Sequence, residues 1–519
     1  MKHKIIPMIV CLMLCMAFMP AAAYADNAKT TPAEPPGIWT DHAAAAFAGG
    51  SGTAEDPYQI ATPQQMAKLA SDINSGDESK KHSGEHFKLT ADLNLSAHRW
   101  IPIGSGDLSL GHYNFSGYFD GNGKTITGLY VDESQLGFCG GLFGIVYGYE
   151  IKNLTVKDAY VKKATNSSHD YGKTGILMGA ATNSSSKAIN IKDCSVSGTV
   201  ESKGSYTGGL VGYNDRGVYE NCTADVKVTG SDSTGGFVGQ DGLGTYRNCT
   251  ALGDVSGTEL VGGFAGYLTE KSQVNRCAAF GKVTASGNTA GGFVGSIQDF
   301  GTISNCAAFG DVESTVNDVE PRAGGFAGYI QNSTISSSHA AGTVTVASSQ
   351  YKAGGFAGGA VIWAYGTIES SSFDIEKNAG LDAVCGEFNA EAVDVEGVST
   401  QAVKASICKD YYGKHILKAV AERPATRTED GQKAYWKCEN CGLLFADENG
   451  MQQIEKPEVI PATGAEDPET GEAAAAPAKD NADKSAETGD DSNVVLYGIL
   501  ALLAAGGAAG TILCRERKA

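Results

Sequence analysis

The chain has 519 residues, too many for one ordinary compact core, so several domains or a repeat array is expected. Its 68 glycines are roughly twice average usage, but no three-residue period runs through them, which excludes collagen. A net charge of −19 disfavours nucleic-acid binding, which relies on clustered Lys and Arg, and favours a soluble, self-repelling surface.

The chain opens on MKHK, a basic start, followed by an apolar run to Met19 and a small-x-small site at Ala23-Tyr24-Ala25. Residues 1–25 therefore read as a signal peptide, cleaved between Ala25 and Asp26. Cys15 lies inside the apolar run, which argues against lipoprotein processing. Residues 26–36 are too poor in large apolar residues to fold and read as a linker. A lead-in follows over 37–131. Thr62-Pro63-Gln64-Gln65 is a capping box with Pro at the first helical position, and Met66, Leu69, Ala70 and Ile73 line one face of the helix it starts. Strand-like runs come next (HFKLTADLNL, WIPIG, NFSGYFDGNGKTITGLYV), the last holding a DGNG turn signal.

A repeat fills 132–380. Its opening glycine falls at Gly140, Gly175, Gly208, Gly235, Gly262, Gly291, Gly324 and Gly354, with Phe237, Phe264, Phe293, Phe326 and Phe356 at the third position of the later copies. A second register carries Cys194, Cys222, Cys249, Cys277 and Cys306, then Ser338 and Ser371. An apolar residue stands three before each Cys, a Val stands six after most of them, and Asp or Asn usually sits just before. The Cys and the Val share one strand parity and the apolar residue has the other, so the chain must bend between them. Asn tolerates the left-handed backbone of such a bend. A bend at one place in every copy means a coil, and coils stacked about 4.8 Å apart make an all-β parallel β-solenoid with ladders of like residues. One Cys per coil at an inward position reads as a column of buried free thiols, although adjacent coils leave disulfides possible.

The GGFAG and GGFVG copies at this spacing resemble the GLUG repeat of bacterial surface proteins, over about residues 139–373. The segment 47–123 resembles the module that precedes such repeats. The resemblance implies a right-handed parallel β-helix capped at its N-terminal end by the 62–74 helix, and a cell-surface setting.

Residues 381–410 read as an end coil or linker, and 411–460 as a small module around Cys438-x-x-Cys441, which resembles one appended to many clostridial-type surface proteins. Two thiolates at this spacing hold one side of a zinc ion. Cys408 and His415 are the only nearby candidates for the other side, and a disulfide or a reduced pair is the competing reading. Arg427 and Ala465 stand where the resembled module tends to carry Cys and His. No other cofactor is expected. Residues 461–493 form an acidic flexible tether, 494–513 an uncharged span long enough to cross a bilayer, and 514–519 a basic cytoplasmic tail. Thr488-Gly489, the span and the tail resemble the sorting signal of Gram-positive surface proteins, with Ser-Ala in place of the usual Leu-Pro. The resemblance implies sortase cleavage between Thr488 and Gly489 and attachment to peptidoglycan. A plain membrane anchor is the alternative.

For function, no His-Glu-x-x-His occurs, and the outward carboxylates Asp225, Asp254 and Asp311 are interrupted by Lys282 and Thr343, so no carboxylate column supports a glycosidase. Leu252, Phe280 and Phe309 have outward parity in three successive copies and form a candidate binding stripe, unless the glycine after each tucks it inside. Insertions at 313–323 and 345–353 are further binding candidates. The expectation is a non-catalytic protein on the surface of a Gram-positive-type cell that binds an extracellular glycan or protein. A polysaccharide-acting β-helix enzyme and a purely structural spacer stay open.

Overall fold

The computed structural model describes residues 31–464, apart from 106–112, 133–138, 164–171, 183–188, 317–321, 348–352, 362–365 and 386–392. Each repeat bends where the sequence places Asp, Asn or a substitute before the Cys or Ser position. Asp193, Asn221, Asn248, Arg276, Asn305, Ser337 and Ser370 all adopt left-handed backbone, with φ of 51°, 55°, 53°, 52°, 54°, 45° and 48°. The bends stack the repeats into a parallel β-solenoid with one 24-stranded and one 17-stranded sheet.

Inside, like residues lie on like. The rings of Phe237, Phe264, Phe293, Phe326 and Phe356 stack nearly parallel, with centroids 4.9, 4.9, 4.9 and 5.0 Å apart. All five are fully buried, each stabilising the fold by about 2–3 kcal/mol relative to an exposed ring. The flanking glycines leave room for this stack. A Cβ on Gly262 would fall 2.5 Å from the amide nitrogen of Gly295 in the next coil, and one on Gly266 would fall 2.5 Å from that of Thr234 in the coil before.

The cysteine column is a set of free, buried thiols. Each thiol donates to the carbonyl two residues earlier, as Cys277 does to Asn275 at 3.5 Å and Cys306 to Ser304 at 3.2 Å. The Cys277 and Cys306 sulfurs also accept from the coil before, from the Cys249 and Cys277 amides, both at 3.4 Å. Ser338 and Ser371 repeat both bonds through their hydroxyls, which explains why serine continues the series.

A second column joins the lead-in to the repeats. Tyr58, Phe87, Phe119, Ile151, Ile191, Tyr219, Tyr246, Val274, Ile303, Ile335, Ile368 and Val393 pair in register from first coil to last. Where the repeats place Tyr219 and Tyr246 in this column, the facing strand supplies a polar partner. The Tyr219 hydroxyl donates to Asn214 at 3.2 Å and the Tyr246 hydroxyl to Asp241 at 2.7 Å. Where it holds Val274, Ile303 and Ile335, the facing residues are Leu268, Ile297 and Ile330. Ser272 and Asn214 also donate to Asp241, closing a buried network. Burial pushes the Asp241 carboxyl up to about 6 against these bonds.

Helix α1, Pro63–Asn74, has the expected capping box, and its Met66, Ala67, Leu69, Ala70 and Ile73 join the solenoid core at the first coil. At the other end the strand Val393–Val398 pairs with Thr367–Asp374, and helix α2 follows at Thr400–Asp410, N-capped by Ser399. A four-stranded antiparallel sheet then forms from Leu417–Val420, Tyr435–Cys438, Leu444–Phe445 and Gln453–Ile454. Residues 426–429 and 462–464 group apart from the rest, with the Thr463 amide donating to the Thr426 carbonyl. No helix among the described residues is long and apolar enough to cross a membrane. Ala25, Asp26, Thr488, Gly489 and the 494–513 span lie outside the described residues, as do parts of the 313–323 and 345–353 insertions.

Candidate metal centre and outward faces

Helix α2 has a sparse apolar face, Val403 and Ile407, and this face is buried with Ala278, Ala307 and Ala341 on the outside of three successive coils. Phe280 and Phe309 belong to the same cluster, their rings stacked 4.3 Å apart. Of the candidate stripe, Phe280 and Phe309 therefore point outward; they and Leu252 are only partly exposed, and at Phe280 and Phe309 the chain's own helix with Tyr411 and Tyr412 occupies the face. Neither half of the sequence expectation describes this: the rings are not tucked inside, and they do not form an open apolar stripe. A polar clamp ends the contact. His339, 2% exposed, meets the Asp410 carboxylate through Nε2 at 2.9 Å and the Ser372 hydroxyl through Nδ1 at 2.9 Å. Burial holds its pKa below the usual imidazole value despite Asp410.

Beyond α2 the chain folds back so that one sulfur from the helix, one ring from the following loop and two sulfurs from the hairpin converge. The donor atoms of Cys408, His415, Cys438 and Cys441 all lie within 4.8 Å of one another. Cys408 Sγ is 3.8 Å from Cys438 Sγ, and Cys441 Sγ is 3.4 Å from His415 Nδ1. Gly442, at φ 75°, donates its amide to the Cys438 carbonyl at 2.8 Å and closes the turn that aims both hairpin thiols the same way. The three cysteines are buried with Phe445, and Tyr412, Leu417, Trp436 and Leu443 pack against them. The hydrogen bond with Cys408 draws the Cys441 thiol down to about 5, while the same contact and burial push Cys408 up.

Two of the outward carboxylates weighed for catalysis bond the backbone of the next coil. Asp254 accepts from the Lys282 amide and Asp311 from the Thr343 amide, both at 2.7 Å. On the other sheet, sequence reading missed a tyrosine column. Tyr213, Gln240, Tyr267, Ser296 and Tyr329 pair in register; Ser296 is buried, and a partly exposed tyrosine recurs on alternate coils. Tyr206 lies beside Tyr213 at 5.5 Å, and the Arg322 guanidinium sits 4.3 Å over the Tyr329 ring. The signal was a tyrosine three residues after the third motif position, Leu210, Phe264 or Phe326, in copies that alternate with polar ones.

These features define a repeat-built parallel β-solenoid with a cysteine-rich C-terminal module. The chain carries GLUG motifs: the family model for this motif matches residues 203–229, 286–313 and 321–345. It is similar to a protein of Evansella cellulosilytica named provisionally as a Gly-rich membrane protein, 30% identical over 122 residues, which are 22% of this chain and 12% of the relative. It is also similar to halomucin of Haloquadratum walsbyi, 31% identical over 168 residues, 31% of this chain and 2% of the relative. The chain thus spans a small part of the relatives it matches. Among solved structures, a Bacteroides ovatus protein described provisionally as an immunoglobulin A1 protease aligns at 19% identity over 72% of this chain and 92% of that one, with a TM-score of 0.42. The A-module of an Azotobacter vinelandii mannuronan C-5 epimerase aligns at 11% identity over 69% of this chain and all of that one, with a TM-score of 0.27.

Proposed function

We propose that this chain is a non-catalytic cell-surface protein, held to wall or membrane through its C-terminal end, whose solenoid binds extracellular glycans. The observation that supports this reading is the tyrosine column. Tyr213, Tyr267 and Tyr329 recur on every second coil, about 10 Å apart at the usual strand spacing. An extended β-1,4-linked pyranose chain presents the same ring face at every second sugar, at about the same interval. The partly exposed phenols combine apolar ring surface with a polar tip, and cations lie over two of the rings, Lys173 over Tyr213 at 4.4 Å and Arg322 over Tyr329 at 4.3 Å, so ring surface, hydroxyl and positive charge are offered together to a sugar chain. The Phe280–Phe309 stripe is a poorer candidate, because α2 and its tyrosines already lie on it.

The test is retention of full-length chain on a panel of immobilised polysaccharides and mucins, with the soluble phase assayed for new reducing or unsaturated ends. Retention without new ends, lost in the Tyr213→Ala/Tyr267→Ala/Tyr329→Ala triple variant at unchanged circular dichroism, supports the reading. Released ends overturn its non-catalytic part. Retention on no member of the panel overturns the binding part and leaves a spacer.

A further inference from the structure

We propose that Cys408, His415, Cys438 and Cys441 bind one structural zinc ion that locks α2 against the side of the solenoid. The geometry carries this. A tetrahedral zinc with Zn–S bonds of ~2.3 Å and a Zn–N bond of ~2.0 Å sets its sulfurs about 3.8 Å apart and sulfur to nitrogen about 3.5 Å apart. The protein has 3.8 Å between Cys408 and Cys438 and 3.4 Å between Cys441 and His415. A disulfide needs ~2.05 Å, so the sulfurs are spaced for a shared ion rather than for a bond to each other. Three thiols with one imidazole is a soft donor set that selects zinc over calcium or magnesium, and four protein ligands leave no open position, which marks a structural rather than a catalytic site.

The surroundings are built for the same purpose. The Gln401 side chain on α2 donates to the Cys441 carbonyl at 2.7 Å, so helix and hairpin are tied beside the donors as well as through them. The Phe445 ring lies 4.8 Å from the His415 ring and fixes its edge toward the thiols. The hairpin and loop alone supply three donors, and Cys408 completes the set from the helix whose Val403 and Ile407 cover Ala278, Ala307 and Ala341. The ion therefore joins the C-terminal sheet to the helix, and through the helix to the coils. This site stands apart from the tyrosine column and does not depend on the glycan reading.

The test uses full-length chain, stripped of metal under reducing conditions and titrated with zinc, with bound metal counted by mass spectrometry. Cobalt substitution supplies a second readout, because tetrahedral cobalt with thiolate ligands gives intense visible and near-ultraviolet bands. One equivalent of zinc and a tetrahedral cobalt spectrum are expected. Cys408→Ser is expected to weaken zinc binding at least a hundredfold, and Cys408→His, which restores a fourth donor, to recover most of it. Three results would each overturn the proposal: substoichiometric zinc in the parent chain, a Cys408→Ser variant that binds zinc like the parent, or a disulfide among these three cysteines in the exported protein.

Discussion

Arg276 is the one long basic side chain in a series of bends otherwise held by Asp, Asn and Ser, and its φ is 52°. Left-handed backbone costs a residue with a Cβ about 1–2 kcal/mol, and asparagine recovers on the order of half of that. Asparagine at this place would also extend a side-chain ladder. The Asn221 amide donates to Asp193 at 3.0 Å and the Asn248 amide to Asn221 at 3.3 Å, and the ladder stops at Arg276. One more exposed bond of this kind adds about 0.5 kcal/mol. Arg276→Asn should therefore stabilise its coil by about 1–1.5 kcal/mol. Because solenoid coils open locally, the sharpest assay is amide hydrogen exchange. The Arg276 amide donates to the Ser304 carbonyl at 3.1 Å, and its exchange should slow by about five- to tenfold, with a rise of about 2 °C in the thermal midpoint. The reverse change, Asn248→Arg, should accelerate exchange by a similar factor. Unchanged protection in both variants would refute the idea that strain at the bend limits coil stability.

Three further outcomes follow from the same coils. Gly262→Ala should destabilise by about 3 kcal/mol or more, because the added methyl meets fixed backbone of the next coil, and denaturant titration would show it. Cys277→Ser should be nearly neutral, since Ser338 already makes both bonds of that position, whereas Cys277→Val should cost about 1–3 kcal/mol by leaving the Cys249 amide without its acceptor; a melting comparison of the pair decides it. Asp241 should make stability fall as pH rises. Its folded pKa of about 6 lies above its unfolded value near 3.8, so its contribution is whole below pH 4 and is lost as pH climbs through 6, about 3 kcal/mol in all. Asp241→Asn should flatten the pH 4–7 segment of a melting-temperature profile, and a slope unchanged by the substitution would exclude this carboxyl as its source.

How much of this was legible in sequence depends on how local each cause is. The bend before each Cys, the phenylalanine ladder and the α1 capping box rest on short-range rules repeated many times, and they read directly. The continuity of lead-in and repeats was harder to see, because the first coils place Phe87 and Phe119 in the same column without the glycine motif that makes later coils recognisable. The pairing of Tyr219 with Asn214 and of Tyr246 with Asp241 is visible as a five-residue spacing in two successive copies, but only once both strands are known to face inward. The position of α2 was not legible. Its buried set is three residues in eleven, and what it covers lies about 60 to 130 residues earlier in the chain. For the candidate metal centre, spacing singled out Cys438 and Cys441 and left Cys408 and His415 as neighbours in sequence; only the fold brings the four donors to one point.

If the chain is held through its C-terminal end, as proposed, the placement of α2 also decides how the solenoid takes load. A pull from downstream reaches the coils through the C-terminal sheet and then through a helix lying across three of them, with His339 and Asp410 at its end. Tension enters from the side, in shear, and is shared by several rungs at once. A chain leaving directly from its last strand would instead peel one hydrogen bond after another from Thr367–Asp374. The helix turns an open end, the weakest place in any stacked coil, into a point that force bypasses.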